Sequence, residues 1–78
     1  LPNLTIHPNP TKDQLFLDNP PEHKITSIQI IDLTGKIIEE RVIKNENSID
    51  LSNLKRGIYA LLFMNEEREF SAYKVVIQ

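Results

Sequence analysis

The chain has 78 residues, which is enough for one domain. A domain of this size buries only about 60% of the surface that its unfolded chain exposes, so it is too small to enclose a large substrate cavity. The sequence has no Cys, which excludes disulfides and thiolate metal sites, and its net charge is −2 with Lys and Arg scattered among acids, so we expect no nucleic-acid partner. The longest apolar run, Ile58 to Met64, is far shorter than the roughly 20 residues of a membrane-spanning helix, so we expect no direct membrane insertion.

We interpret residues 1–78 as a single domain, because no internal repeat, low-complexity segment or change in composition divides them. The sequence does not begin with Met, and its first residues lack the basic and apolar regions of a secretory signal. We therefore expect the domain to form the end of a larger protein.

The chain is rich in β-branched residues, and its short apolar runs are separated by turn residues at the spacing of an all-β sandwich. In chain order the pattern predicts seven strands: Leu4 to His7, Gln14 to Leu17, Ile25 to Asp32, Lys36 to Lys44, Ser48 to Leu51, Gly57 to Met64 and Phe70 to Ile77.

Three of these strands carry apolar residues outside a single core-facing row. Phe16 points away from the core that Leu15 and Leu17 face, so its ring needs cover from elsewhere. The adjacent Ile37 and Ile38 predict a bulged or edge strand. The strand from Gly57 to Met64 is apolar on both faces, which is typical of a central strand or of one whose outer face meets another surface.

The first two of four short motifs predict changes of chain direction. Neither proline of Pro8-Asn9-Pro10 has a backbone N–H to donate to a β-ladder, so this motif predicts a crossover between the first two strands. Asp32-Leu33-Thr34-Gly35-Lys36 predicts a hairpin with a type I turn, capped by the Asp32 carboxylate, with Gly35 in the left-handed region of a G1 bulge. This motif is also faintly similar to the phosphorylated aspartate of transport ATPases, but a hairpin explains the same residues more simply.

The third motif lies around Gly57. Ser52 is expected to cap a single helical turn that buries Leu51 and Leu54, and Gly57 to follow it with positive φ. A side chain at position 57 would then cost on the order of 1 kcal/mol or more. For Tyr59 we favour a structural anchor resembling a tyrosine corner over an aromatic binding strip.

The sequence shows no pattern of catalytic, cofactor-binding or metal-binding residues, so we expect neither an enzyme nor a cofactor. His7 and His23 lie at proline-rich turns, where we expect solvated or packing roles. The pairs Glu39-Glu40 and Glu66-Glu67 are interpreted as solvated charges. The sequence Asn3-Leu4-Thr5 is a glycosylation sequon, to which we give little weight.

Taken in order, His7-Pro8-Asn9-Pro10, Asp32 to Lys36, Lys55 to Tyr59 and the terminal Tyr73 to Gln78 resemble the motifs of a type A C-terminal sorting domain of the type IX secretion system. The resemblance covers nearly all of the chain. It assigns the sorting-signal motifs to Pro8, Asn9, Pro10, Gly35, Gly57, Tyr59, Lys74, Val75, Val76, Ile77 and Gln78.

This resemblance implies a seven-stranded Ig-like antiparallel β-sandwich that directs an N-terminal cargo from the periplasm, through the type IX translocon, across the outer membrane. A sortase would then remove the domain, leaving the cargo on the cell surface or secreted. The apolar strand face also favours a homodimer when the cargo is absent. The alternative is an Ig-like accessory or interaction module that stays attached to a secreted enzyme or adhesin.

Overall fold

A computed structural model describes residues 4–18, 24–44 and 46–78. The described residues form seven strands: β1 (Thr5–His7), β2 (Gln14–Asp18), β3 (Ile25–Ile31), β4 (Ile37–Val42), β5 (Ser48–Asp50), β6 (Gly57–Asn65) and β7 (Phe70–Ile77). All seven predicted strands are confirmed, each with bounds within two residues of those expected. The sequon residue Asn3 and the predicted turn at residues 19–23, including His23, lie outside the described residues.

The strands form two antiparallel sheets, one with the order β1-β2-β5 and the other with the order β4-β3-β6-β7. The predicted all-β, seven-stranded sandwich is confirmed. In a constant-type immunoglobulin domain the fourth strand lies beside the fifth. Here β4 pairs with β3 in the opposite sheet, and the narrower Ig-like label stays a prediction. The described residues contain no helix that could span a membrane.

Alternating side chains of both sheets fill the core, as the period-two pattern predicts. The fully buried members come from β2, β3, β6, β7 and the segment after β5: Leu15, Ile28, Ile30, Leu51, Leu61, Phe63 and Val75. Each such side chain contributes roughly 1.5–3 kcal/mol relative to an exposed position. The Tyr73 hydroxyl also donates to the carbonyl of Leu4, which links β7 to the chain just before β1 in the other sheet.

The cover that Phe16 needs comes from the neighbouring strand. His7 is its cross-strand partner, and the two rings stack with their centroids 5.6 Å apart. Phe16 nevertheless remains 42% exposed. Among the residues that the structure describes, no three His, Asp or Glu side chains are grouped to hold a metal ion.

Strand β4 is both an edge strand and bulged, as the sequence predicts. Ile30 pairs with Glu39 whereas Ile31 pairs with Ile37, so Ile38 is the extra residue. The bulge shifts the alternation, which explains how Ile37 and Ile38 can be adjacent and both partly exposed.

The prediction that Glu39 is a solvated charge is wrong. Glu39 and Arg41 form a half-buried ion pair, and Asn53 donates to Glu39 Oε1 at 3.0 Å. Arg41 also donates to the Asn53 side chain and to the Asp50 carbonyl, so this network ties the edge of one sheet to the end of β5 in the other. The hydrogen bonds from Arg41 and Asn53 lower the pKa of Glu39.

The predicted helical turn after β5 is also wrong. Residues 51–54 form a turn without a helix, closed by a 3.0 Å bond from Leu54 N to Leu51 O. The cap is Asp50, whose carboxylate accepts from Ser52 N at 2.9 Å, rather than Ser52 itself. An aspartate one position before the turn can accept from the N–H two residues later, because its side chain forms an Asx turn. Leu51 is buried, as expected, whereas Leu54 is only half-buried and packs against the core.

The hairpin loops Asp32–Lys36 and Asn65–Glu69 have the same construction. In each loop the side chain of the first residue, Asp32 or Asn65, accepts hydrogen bonds from the backbone N–H groups two and four residues later. The backbone N–H of the first residue also donates to the carbonyl of the last residue, at 2.9 Å in the first loop and 3.0 Å in the second. The fourth residue has positive φ, +88° for Gly35 and +64° for Arg68. The sequence analysis predicted the construction of the first loop through its glycine; it placed a break between the strands at the second loop but did not predict its construction, because that loop lacks a glycine.

Replacing Arg68 with Gly should stabilise the domain, because the left-handed conformation costs a non-Gly residue roughly 1–2 kcal/mol. After the greater entropy of Gly in the unfolded chain is subtracted, we expect a gain of about 0.5–1 kcal/mol, or roughly 2–8 °C in Tm. Thermal unfolding of Arg68→Gly checks this. Glu66→Gly is the matched control, since Glu66 lies in the same loop without positive φ, and it should not raise Tm. An equal effect of both variants would contradict the assignment.

Candidate functional site

The Pro8-Asn9-Pro10 motif lies against the outer edge of β7. Both X-Pro bonds, His7-Pro8 and Asn9-Pro10, are cis. The Asn9 side-chain amide donates to Lys74 O at 2.8 Å and accepts from Val76 N at 3.1 Å. One side chain therefore takes the place of a peptide group from a neighbouring strand.

Thr11 continues this pairing with its backbone. Its N–H donates to Val76 O at 2.9 Å, its carbonyl accepts from Gln78 N at 2.8 Å, and it forms a parallel bridge with Ile77. The Thr11 side chain is buried and exchanges hydrogen bonds with the backbone of Gln14, which fixes the segment before β2. The first and last motifs thus form one structural unit, and the edge of β7 from Lys74 to Gln78 is already paired.

The side chains of the terminal motif alternate between core and surface. Val75 and Ile77 are buried in the core. Lys74, Val76 and Gln78 point to the other face, and Lys74 and Gln78 are exposed. Removing residues 75–78 would therefore remove two core side chains and the Thr11 pairing, so such a truncation cannot separate a lost signal from a lost fold.

The third motif forms the predicted corner before β6. Gly57 has φ +152°, which confirms the expected positive φ. The Tyr59 ring packs against the core, and its hydroxyl donates to the Lys55 carbonyl, four residues upstream, at 2.6 Å. A tyrosine near the start of a strand that bonds back to the preceding chain is the defining feature of a tyrosine corner, so the structure supports Tyr59 as an anchor.

Replacing Gly57 with Val should destabilise the domain through the backbone. A Cβ at this position would meet only the Tyr59 ring, at an ordinary 3.8 Å, so space is not the obstacle. The conformation itself should cost on the order of 1–2 kcal/mol. Chemical denaturation of Gly57→Val measures this cost, with Ala72→Val as the control at an exposed strand position without positive φ. An unchanged midpoint for Gly57→Val would rule out backbone strain.

The second motif forms the predicted hairpin. Asp32 Oδ1 accepts from Thr34 N, Thr34 Oγ1 and Lys36 N at 2.9, 2.6 and 3.1 Å. These bonds, the Thr34 hydroxyl first, lower the pKa of Asp32. The carboxylate is thus held by its own turn, which accounts for the motif without a phosphoryl-transfer role.

An open pocket of about 330 Å³ lies on the outer face of the four-stranded sheet, where three motifs meet. We call it the motif pocket; its lining residues are Asp32, Leu33, Ile58, Tyr59, Ala60 and Lys74. Asn9 of the remaining motif bonds to the Lys74 carbonyl. Sequence segments as distant as residues 9 and 74 therefore converge at one end of the sheet.

The sequence analysis noted the apolar outer face of the strand from Gly57 to Met64, on which Ile58 and Ala60 lie, but missed Leu33 as part of this site. Leu33 is 76% exposed and Ile58 37% exposed. The available signal was the alternation along β6, which places Ile58 and Ala60 on the face opposite Leu61 and Phe63. Nothing in the local sequence showed that Leu33 and Lys74 would lie beside them.

A family model described as the secretion system C-terminal sorting domain matches residues 5–78. The chain belongs to this family. The match spans nearly the whole chain and includes all four motifs. No curated protein matches the chain.

The family identifies the chain as a C-terminal sorting signal of type IX secretion. Such a sorting domain is associated with an N-terminal cargo region and with the secretion machinery, and it directs export across the outer membrane toward the cell surface or the medium. The family is one of sorting signals and not of enzymes.

In this sorting domain, replacing Asn9 with Ala should open the edge of β7 without touching the core. We expect the Val76 amide hydrogen to exchange roughly three- to tenfold faster, the effect of losing one hydrogen bond. Asn9→Asp is the matched control, because its carboxylate can still accept from Val76 N while it cannot donate to Lys74 O. Hydrogen exchange followed by NMR checks both variants. Equal Val76 protection in Asn9→Ala and the wild type would contradict the pairing.

Proposed function

We propose that this domain is a removable signal at the end of a larger secreted protein, and that the type IX translocon recognises the surface where the four motifs meet. The observation that carries the proposal is the convergence of Asn9, the Asp32 turn, the start of β6 and Lys74 at one end of the four-stranded sheet. Residues so far apart in sequence form one surface only in the folded domain.

Some of the motif residues stabilise the fold, and others present side chains on the surface. Gly35 and Gly57 provide backbone conformations that other residues rarely adopt, Tyr59 anchors the corner, and Val75 and Ile77 fill the core. Pro8, Asn9 and Pro10 form the segment that covers the edge of β7. The side chains left for a partner on this face are those of Lys74 and Val76, together with the exposed apolar residues of the motif pocket.

Recognition by a surface fits this geometry better than strand addition to the terminal motif. Strand addition needs unpaired backbone groups at a sheet edge. From Lys74 to Gln78 those groups are bonded to Asn9 and Thr11. A partner would have to displace this segment before adding a strand there.

After transit through the periplasm and the outer membrane, we propose that a sortase removes the domain and that the cargo is left at the cell surface or released. The sandwich has its own core and caps its own turns, so it can leave as a folded unit. The alternative is an accessory module that stays on the mature cargo.

The outer face of the four-stranded sheet also supports self-association of the isolated domain. Its apolar side chains alternate with the core positions of β3, β6 and β7: Ile31, Ile58, Ala60, Leu62, Met64 and Val76. A mainly apolar face of this kind is typical of an interaction surface. We propose that it can pair two copies when no cargo or translocon covers it.

A fusion of the domain to the C-terminus of a folded fluorescent protein tests the proposal in a bacterium with a type IX system. We expect the fluorescent protein on the cell surface or in the medium, with its mass reduced by loss of the domain. The same fusion in a strain without the translocon should remain in the periplasm. Delivery of the intact fusion would favour the attached accessory module, and retention in the competent strain would contradict the sorting function.

A further inference from the structure

We propose that the motif pocket receives an apolar side chain from a protein of the secretion machinery, and that a carboxylate next to that side chain pairs with Lys74. This inference rests on the proposed sorting function and adds to it the chemistry of the partner.

The walls of the pocket favour an apolar occupant. Leu33 and Ile58 are exposed there, and Ala60, the cross-strand neighbour of Lys74, lines the pocket with them. Its volume, about 330 Å³, is at the small end of ligand pockets, which span about 300–1,000 Å³. A single large side chain from a partner fits within this volume, and covering Leu33 and Ile58 removes apolar surface from water.

The small side chain of Ala60 keeps the pocket open. Ala60 lies on β6 opposite Ile31 on one side and Lys74 on the other. Because its side chain lies on the outer face, a larger residue there would occupy the pocket without entering the core.

The charges around the pocket favour an acidic occupant. Asp32 Oδ1 already accepts three hydrogen bonds from its own turn. Within the described parts of the chain, no carboxylate lies within 4.0 Å of the Lys74 ammonium, which is exposed at the pocket. Of the residues that line the pocket, Lys74 alone carries a positive charge, so it is the group with which a carboxylate of a partner would pair.

Filling the pocket tests the apolar part of the inference in the fluorescent-protein fusion. Ala60→Phe should reduce export at least tenfold, whereas Ala72→Phe should be exported like the wild type. Ala72 lies on the same sheet face, opposite Leu62, but it does not line the pocket. Equal unfolding midpoints of the purified domains would show that both variants fold.

The outcomes separate this inference from the proposed function. Failure of the wild-type fusion to leave the cell would overturn the sorting function. Normal export of Ala60→Phe alongside an exported wild type would overturn only the role of the pocket. Equal losses in Ala60→Phe and Ala72→Phe would show that the whole sheet face, and not the motif pocket, is recognised.

Charge reversal tests the acidic part of the inference. Lys74→Glu should reduce export, Lys74→Arg should retain it, and Lys24→Glu is the control for a reversed charge elsewhere on the surface. Normal export of Lys74→Glu, or equal loss with Lys74→Arg or Lys24→Glu, would overturn the charge pairing.

A binding measurement on the isolated domain needs no partner protein. The probes are the blocked dipeptides acetyl-Phe-Glu-amide and acetyl-Phe-Lys-amide, titrated into labelled domain and followed by NMR. We expect shifts at Leu33, Ile58 and Ala60, and about fivefold tighter binding of the acidic probe, the effect of one exposed ion pair. Lys74→Glu should reverse this preference. Equal binding of both probes, or no shifts at the pocket, would contradict the inference.

Discussion

The pairing of residues 9–11 with β7 joins parts of the chain that are more than 60 residues apart, and the rest of the domain depends on it. The Asn9 side chain and the Thr11 backbone together bond to Lys74, Val76 and Gln78. The segment connects β1 and β2 of one sheet, whereas β7 is the edge of the other. These bonds therefore close the sandwich along one side and protect a sheet edge that would otherwise be open to other chains.

The opposite side of the sandwich is closed by side chains. Arg41 of β4 bonds to the Asp50 carbonyl at the end of β5 and to Asn53 in the following turn, while Glu39 balances its charge. The two sides use the same principle, since each edge of the four-stranded sheet is tied to a segment of the smaller sheet. A small domain gains from such links because its core is limited by its size.

The features that were predicted correctly are those determined by residues close to one another in the sequence. Alternation gave the strands, and the local chemistry of Asp32 and Gly35 gave their hairpin. Where two candidate caps lie close together, prediction fails: Asp50 and Ser52 are both typical caps, and the bond that forms is the one from Ser52 N to the Asp50 carboxylate. Arg68 shows another limit, because it adopts the glycine conformation at the cost of backbone strain and leaves no trace in the sequence. Long-range partners such as Asn9 with Val76, or Glu39 with Asn53, follow from no local pattern at all.

The placement of the motif pocket makes recognition depend on folding. Its walls come from the β3–β4 turn, β6 and β7, and the proline motif is bonded to the same strand that carries Lys74. In an unfolded chain these residues would be scattered, and the motif pocket would not exist. A partner that binds this surface would therefore select domains that have completed their sandwich, because the pairing that places Lys74 beside Ala60 exists only in the folded sheet. Substitutions at glycine, proline or core positions disturb both the fold and the surface that a partner would recognise. Ala60 and Lys74 are positions at which that surface can be changed while the fold is kept.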